Sequence, residues 1–104
     1  MTMEAQQVRG TAELQQSHLE ELAAELSRRG LCARLHSPAG RIPSLHVVNP
    51  AASVLAENIF SACGRDGTWW FWWSWAERIA VASDTKGAAN RIAQVLASVA
   101  ADDR

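Results

Sequence analysis

The chain has 104 residues, of which 48% are hydrophobic and 20% charged, and its formal net charge is −1 at pH 7. These values are typical of one globular domain and exclude a disordered chain. Because there is no basic excess to neutralise phosphates, duplex nucleic acid is not an expected partner. No apolar run is long enough for a membrane span, and the polar N-terminus lacks the apolar stretch of a signal peptide. We therefore expect no membrane contact and a cytoplasmic location.

The first predicted element is a long amphipathic helix that follows a flexible tail at residues 1–10. Thr11 is a favourable N-cap, and leucines then recur at helical spacing. Two arginines suit the last turn of this helix, and Gly30 follows them as a favourable C-terminal signal. The pattern predicts a helix over residues 12–29.

A β-hairpin is predicted next. Residues 31–37 and 44–49 alternate apolar and polar side chains, and the sequence between them begins with Ser-Pro-Ala-Gly, which favours a turn. With residues 37–43 as the loop, Arg34 lies opposite His46. The apolar side chains of both strands then share one face, so this register is self-consistent.

Two further strands are predicted after the Asn-Pro pair that ends the hairpin. The third begins at residue 54 or 56 and ends at residue 62, and a Gly-Arg-Asp-Gly turn follows it. The fourth begins at Thr68 and runs, with a bend, to about residue 82. Placing Cys63 opposite Thr68 puts Ile59 opposite Trp72 on one face and Phe60 on the other.

A second amphipathic helix closes the predicted fold. Ser83 or Asp84 caps it, an apolar stripe follows, and residues 101–104 should fray. The order helix, four strands, helix predicts one α+β domain over residues 11–100. We expect a two-layer sandwich in which a four-stranded antiparallel meander carries both helices on one face.

All five tryptophans lie within the sequence Trp-Trp-Phe-Trp-Trp-Ser-Trp at residues 69–75. Alternate side chains of a strand lie on opposite faces, so Trp70 and Trp72 should face away from the helices. Two fully exposed indoles would leave an apolar patch of about 300–500 Å², which is at the upper end for a soluble monomer. The predicted binding site on this uncovered face comprises Trp70, Trp72, Ile59, Arg34, His46 and Val48.

Several explanations of the aromatic face stay open. The sheet can curl so that the tryptophans pack beneath a loop, which would make the motif a matter of packing alone. We favour a protein partner on this face, with self-association as a two-fold homodimer, and the alternative is a small hydrophobic ligand. A stacking platform for single-stranded nucleic acid is a weaker alternative, because the basic groove of such proteins is missing.

Enzymatic and metal chemistry find little support in the sequence. Cys32 and Cys63 are far apart without a Cys-x-x-Cys motif, and the histidines fit no common ligand spacing. A cysteine–histidine nucleophile pair would lack a recognisable orienting carboxylate. We therefore expect a non-enzymatic protein without catalytic residues, metal or cofactor.

The sequence Gly-Thr-Trp-Trp-Phe-Trp-Trp-Ser-Trp at residues 67–75, together with Leu-Ser-Arg-Arg-Gly-Leu at residues 26–31, resembles short uncharacterised actinobacterial proteins. Such proteins resemble accessory partners of helix-turn-helix regulators. The predicted order of elements also looks like the fold of secretion-type chaperones, which are often dimers that bind protein segments. These resemblances imply a role in protein binding and carry over no catalytic residues.

Overall fold

The protein folds as a five-stranded antiparallel sheet with two helices. The computed structural model describes residues 2–102, with side chains described for residues 12–96. The strands follow one another in sheet order β1-β2-β3-β4-β5, which makes the sheet a meander. The elements in chain order are α1 (Thr2–Arg28), β1 (Cys32–His36), β2 (Ser44–Asn49), β3 (Ala52–Cys63), β4 (Trp69–Trp73), β5 (Arg78–Val81) and α2 (Thr85–Asp102).

The α+β class and the antiparallel meander agree with the prediction, but the strand number does not. The single bent strand predicted over residues 68–82 is a hairpin of two strands, β4 and β5. Trp73 N–H donates to the carbonyl of Glu77 at 2.8 Å, and Ala76 N–H donates to the carbonyl of Trp73 at 3.0 Å. These bonds close a tight turn and reverse the chain where the sequence has neither Gly nor Pro.

Both helices pack on one face of the sheet and form a single core with it. The buried core consists of Leu19, Leu22 and Leu26 from α1, Ala88, Ala89, Ile92 and Leu96 from α2, and Leu45, Val47, Ile59, Phe71, Trp73, Ile79 and Ala82 from the sheet side. Leu, Ile and Phe side chains of this kind each stabilise the fold by about 1.5–3 kcal/mol when fully buried. The apolar stripes of the helices are therefore what holds the second layer against the sheet.

The helix boundaries differ from the predictions at the N-terminus. α1 begins at Thr2, so the predicted start after Thr11 was wrong. The cap predicted for α2 is confirmed, since Asp84 Oδ1 accepts the N–H of Gly87 at 3.0 Å. Flexibility at residues 1–10 and fraying at residues 101–104 stay predictions, and residues 1, 103 and 104 lie outside the described part. In the described residues, neither helix is long and apolar enough to cross a membrane.

The register of the first hairpin is as predicted, whereas that between β3 and β4 is shifted. Arg34 lies opposite His46, which confirms the first hairpin. Cys63, however, lies opposite Trp69 instead of Thr68, because Gly64 N–H donates to the Thr68 carbonyl at 2.7 Å and keeps Thr68 in the loop. A slip of one residue exchanges the two faces of a strand.

This shift corrects the predicted position of Ile59. Its side chain is 0% exposed and lies in the core beneath the helices, so its placement on the uncovered face was wrong. Phe60 takes that place and lies opposite Trp72.

Candidate interaction surface

The open face is the side of the sheet that points away from α1 and α2. Its membership follows from the strand registers and from the alternation of side chains. The open face comprises Cys32, Arg34, His36, Ser44, His46, Val48, Ala56, Asn58, Phe60, Ala62, Trp70, Trp72 and Arg78.

Three aromatic side chains, Phe60, Trp70 and Trp72, form the aromatic cluster of the open face. Each of them is partly buried. The indole N–H of Trp72 donates to the carbonyl of Ala62 at 3.4 Å, so this ring reaches across the neighbouring strand. The strand pairing places Phe60 directly opposite Trp72 and places Trp70 one row further along the same face.

Arg78 covers part of this cluster. Its guanidinium carbon lies 4.6 Å from the ring centroid of Trp70 and 5.4 Å from that of Trp72. Cation–π contacts at exposed sites contribute about 0.5–1 kcal/mol. Since Trp70 and Trp72 are partly buried, the apolar patch is smaller than two fully exposed indoles would leave. An arginine of β5, and not the loop over residues 37–43, supplies the internal cover.

The other half of the open face is polar and concave. His46 Nδ1 lies 3.0 Å from Asn58 Oδ1, and Arg34 and His36 are exposed. An open concavity of about 400 Å³ is lined by Arg34, Leu35, His36, Ser44, His46, Asn58 and Phe60. Val48 lines an adjoining concavity of about 320 Å³.

The structure therefore places Trp70, Trp72, Arg34, His46 and Val48 on the same face of the sheet and places Ile59 on the other. Val48 and Trp70 lie opposite Ala56 and Ala62, near different ends of β3. That these residues form a binding site stays a prediction. The sequence did not predict Phe60 or Arg78 as residues of the open face. Phe60 was missed because the predicted register between β3 and β4 is shifted by one residue. Arg78 follows the turn at residues 74–77, which carries no recognisable turn signal in the sequence. Its position over the tryptophans depends on that turn.

The charged strand residues described on the open face are both arginines. Among the described strand residues of the open face, Arg34 and Arg78 are charged and no carboxylate is present. The exposed carboxylates Glu13, Glu20 and Glu21 lie on α1, in the helical layer. The open face is therefore cationic and aromatic although the whole chain has a net charge of −1.

One acidic group borders the open face in the loop between β3 and β4. Asp66 Oδ1 accepts the backbone N–H of Thr68 at 3.0 Å. This hydrogen bond is the main reason why the pKa of Asp66 is lowered from 3.8, and the charge of Arg78 lowers that pKa further. The Asp66 carboxylate thus holds the loop, and it also moderates the positive charge at this end of the face.

Trp73 and Trp75 lie outside the open face and support the turn after β4. Their rings stack in parallel, with centroids 4.8 Å apart and an interplanar angle of 7°. The indole N–H of Trp75 donates to Glu77 Oε1 at 3.0 Å, yet the residue is 51% exposed. Trp75 therefore lies in the turn between β4 and β5 and not within the single bent strand predicted over residues 68–82.

Polar side chains beneath the helices have a structural explanation. Ser61 is fully buried, and its hydroxyl lies 3.3 Å from Nδ1 of His18 on α1. The His18 ring meets Trp69 edge-on at a centroid distance of 5.1 Å. Since a buried hydroxyl requires a hydrogen-bond partner, this pair ties α1 to β3. Within the described residues no group of three or more His, Cys, Asp or Glu side chains is placed to hold a metal ion.

Comparisons with models of known protein families, with curated proteins and with solved structures return no match. They neither support nor oppose the resemblance to actinobacterial proteins, which stays a prediction. The open face is therefore interpreted from its own side chains.

Proposed function

We propose that the protein is a non-enzymatic cytoplasmic interaction domain that binds a protein partner through its open face. The observation that carries this proposal is the aromatic cluster with Arg78 on a sheet face that no described helix covers. Tryptophan and arginine are the residues most enriched among binding hot spots. A rigid sheet also presents them without an ordering cost on binding.

Self-association through the open face is less well supported than a different partner. A two-fold contact places each face against its own copy, so Arg34 and Arg78 would meet cations of the second copy. The strands of the face offer no carboxylate to compensate, and like charges across an interface oppose binding. The homodimer expected from the sequence stays a prediction, which sedimentation at several protein concentrations tests.

A small hydrophobic ligand is the second candidate. The concavity beside Phe60 has a volume of about 400 Å³, which lies within the usual range for ligand sites of about 300–1,000 Å³. It is open, however, and polar side chains such as Ser44, His46 and Asn58 form most of its lining. A ligand that shifts tryptophan fluorescence in the wild type, but not after Trp72→Ser, would favour this candidate.

A pull-down from native cytoplasm tests the main proposal. The wild type is compared with Trp72→Ser, which alters the aromatic cluster, and with Trp75→Ser, which removes an exposed indole outside the open face. We expect one set of partners to be captured by the wild type and by Trp75→Ser and lost by Trp72→Ser, with circular dichroism showing that all three are folded. Equal capture by all three proteins would contradict binding through the open face.

A further inference from the structure

We infer that the partner of the open face is an acidic, extended peptide segment with apolar side chains between two carboxylates. This inference rests on the proposed function, since it names the occupant of the same face. The apolar side chains lie on the aromatic cluster, and the carboxylates pair with Arg34 and Arg78.

The sign of the charge on the partner follows from the charges of the open face. Arg34 and Arg78 are exposed, and no described strand residue of that face carries a carboxylate. The carboxylate that borders the face, Asp66, is held by Thr68. Complementary potential steers association and discriminates against partners of the wrong sign, so an anionic segment is preferred.

The spacing of the two arginines sets the length of the segment. Arg34 belongs to β1 and Arg78 to β5, which are the two edge strands. Their backbones are four strand spacings apart, or about 19 Å. An extended chain advances about 3.3 Å per residue, so carboxylates about six positions apart reach both arginines. Side chains two and four positions after the first carboxylate then point to the same side and meet the aromatic cluster.

Arg78 is already placed for such a contact. Its guanidinium carbon lies over the rings of Trp70 and Trp72, and no carboxylate of the described residues forms an ion pair with it. Its N–H donors can therefore bind a carboxylate of the partner with two parallel hydrogen bonds. The cation–π contacts therefore orient the group before the partner arrives, and binding need not break them.

A single-stranded nucleic acid fits the open face less well. Such a strand carries a phosphate at every residue, and proteins that bind it provide a continuous basic groove. Between Arg34 and Arg78 the open face presents Ser44, Asn58 and Phe60, none of which is a cation. Two carboxylates at the ends of a segment match the arrangement of cations better.

Titration with synthetic peptides tests this inference. The probe is the capped peptide Asp-Ser-Leu-Ser-Leu-Ser-Asp, and two matched peptides carry Asn or Lys in place of both Asp residues. Binding is followed by tryptophan fluorescence and calorimetry. The proteins are the wild type, Arg34→Gln, Arg78→Gln and Trp72→Ser, with Arg91→Gln on α2 as the control for loss of an exposed arginine.

We expect the acidic peptide to bind most tightly and more weakly as salt rises. Each of Arg34→Gln and Arg78→Gln should weaken its binding by about two- to fivefold, as for exposed ion pairs. Arg34→Gln should not change binding of the Asn peptide, and Arg91→Gln should change the binding of neither peptide.

Other outcomes separate this inference from the proposed function. One such outcome is that the Asn or Lys peptide binds as tightly as the acidic one while Trp72→Ser abolishes binding. That result would support protein binding by the open face and would contradict the inference that the partner segment is acidic. No saturable binding of the acidic peptide also overturns the inference, as does tighter binding of an oligothymidylate. The proposed function fails separately, when Trp72→Ser changes neither peptide binding nor the capture of partners.

Discussion

Replacement of Ile59 and of its neighbour Phe60 gives the sharpest test of which side chains form the open face. Ile59 is 0% exposed within the core, so Ile59→Ala removes buried methyl groups and leaves a cavity beneath the helices. Such substitutions cost about 2–5 kcal/mol of unfolding free energy. Ile59→Val removes one methylene and should cost about 0.5–1.5 kcal/mol, which stays measurable in a domain of ordinary stability.

Phe60→Ala should cost much less than its size suggests. A fully buried phenylalanine loses about 3–5 kcal/mol on truncation. Phe60 is partly buried on the open face, opposite Trp72, where solvent can fill the space that it leaves. We expect a loss of about 1 kcal/mol, the central value for single substitutions.

Urea denaturation followed by far-ultraviolet circular dichroism measures both effects, because this signal reports mainly on the backbone of the helices and strands. The midpoint should fall strongly for Ile59→Ala and slightly for Phe60→Ala, with unchanged slopes. A larger loss for Phe60→Ala than for Ile59→Ala would refute the reasoning. β3 would then be paired with β4 in the register in which Phe60 faces the helices, and Phe60 would no longer belong to the aromatic cluster.

Three further substitutions test the helix ends and the turn after β4. The pKa of Glu25 is lowered from 4.5, mainly because its carboxylate accepts a hydrogen bond from Arg28. The ionised carboxylate therefore stabilises the fold above pH 4.5, and this stabilisation is lost as the pH falls through the lowered pKa. Glu25→Gln should flatten this acid dependence in urea titrations on either side of pH 4.5, and an unchanged dependence would contradict the role of Glu25. Asp84→Ala should lower the unfolding free energy by about 1 kcal/mol through loss of the α2 cap, and an equal loss in Ser83→Ala would contradict that role. Ala76 has φ = 68°, a conformation that is strained for alanine but not for glycine. Ala76→Gly should therefore raise the melting temperature, with a net gain in unfolding free energy of about 0.5–1 kcal/mol after the entropic cost of glycine. A lower melting temperature would show that the turn is unstrained.

The first hairpin shows which parts of the fold a sequence can predict. Its two strands alternate apolar and polar residues, and its loop has a clear Ser-Pro-Ala-Gly signal. Registers that differ by two residues all place both apolar sets on one face, and the loop over residues 37–43 selects the one that pairs Arg34 with His46, which is confirmed. Alternation thus determines the face, and the position of the loop determines the register.

The pairing of β3 with β4 was harder to predict because both faces of both strands carry apolar side chains. Ile59 and Phe60 are adjacent and apolar, and β4 is aromatic along its whole length. Either register therefore buries apolar area, and the alternation does not discriminate between them. The loop between β3 and β4 selects the register, because Gly67 adopts φ = 85° and the Gly64 N–H donates to the carbonyl of Thr68. The Gly-Arg-Asp-Gly sequence predicted a turn there, but it did not predict how many residues the turn contains.

The turn at residues 74–77 explains why Trp75 does not lie on the open face with Trp70 and Trp72. It places Ala76 in the left-handed region, which costs an alanine about 1–2 kcal/mol. The parallel stack of Trp73 on Trp75 and the hydrogen bond from Trp75 to Glu77 lie at this same turn and offset that cost. Aromatic pairs contribute about 0.5–1.5 kcal/mol beyond their buried area, which is of the required size.

The aromatic run therefore serves two separate purposes. Trp69, Trp73 and Trp75 contact His18, the core or the turn, so each has a partner that the fold itself requires. Trp70 and Trp72 meet Arg78, a contact on the far side of the sheet from the core. Neither residue belongs to the described core, so packing beneath the helices does not account for the two indoles. An occupant of the open face would account for them, and the peptide titrations measure whether its charge is negative.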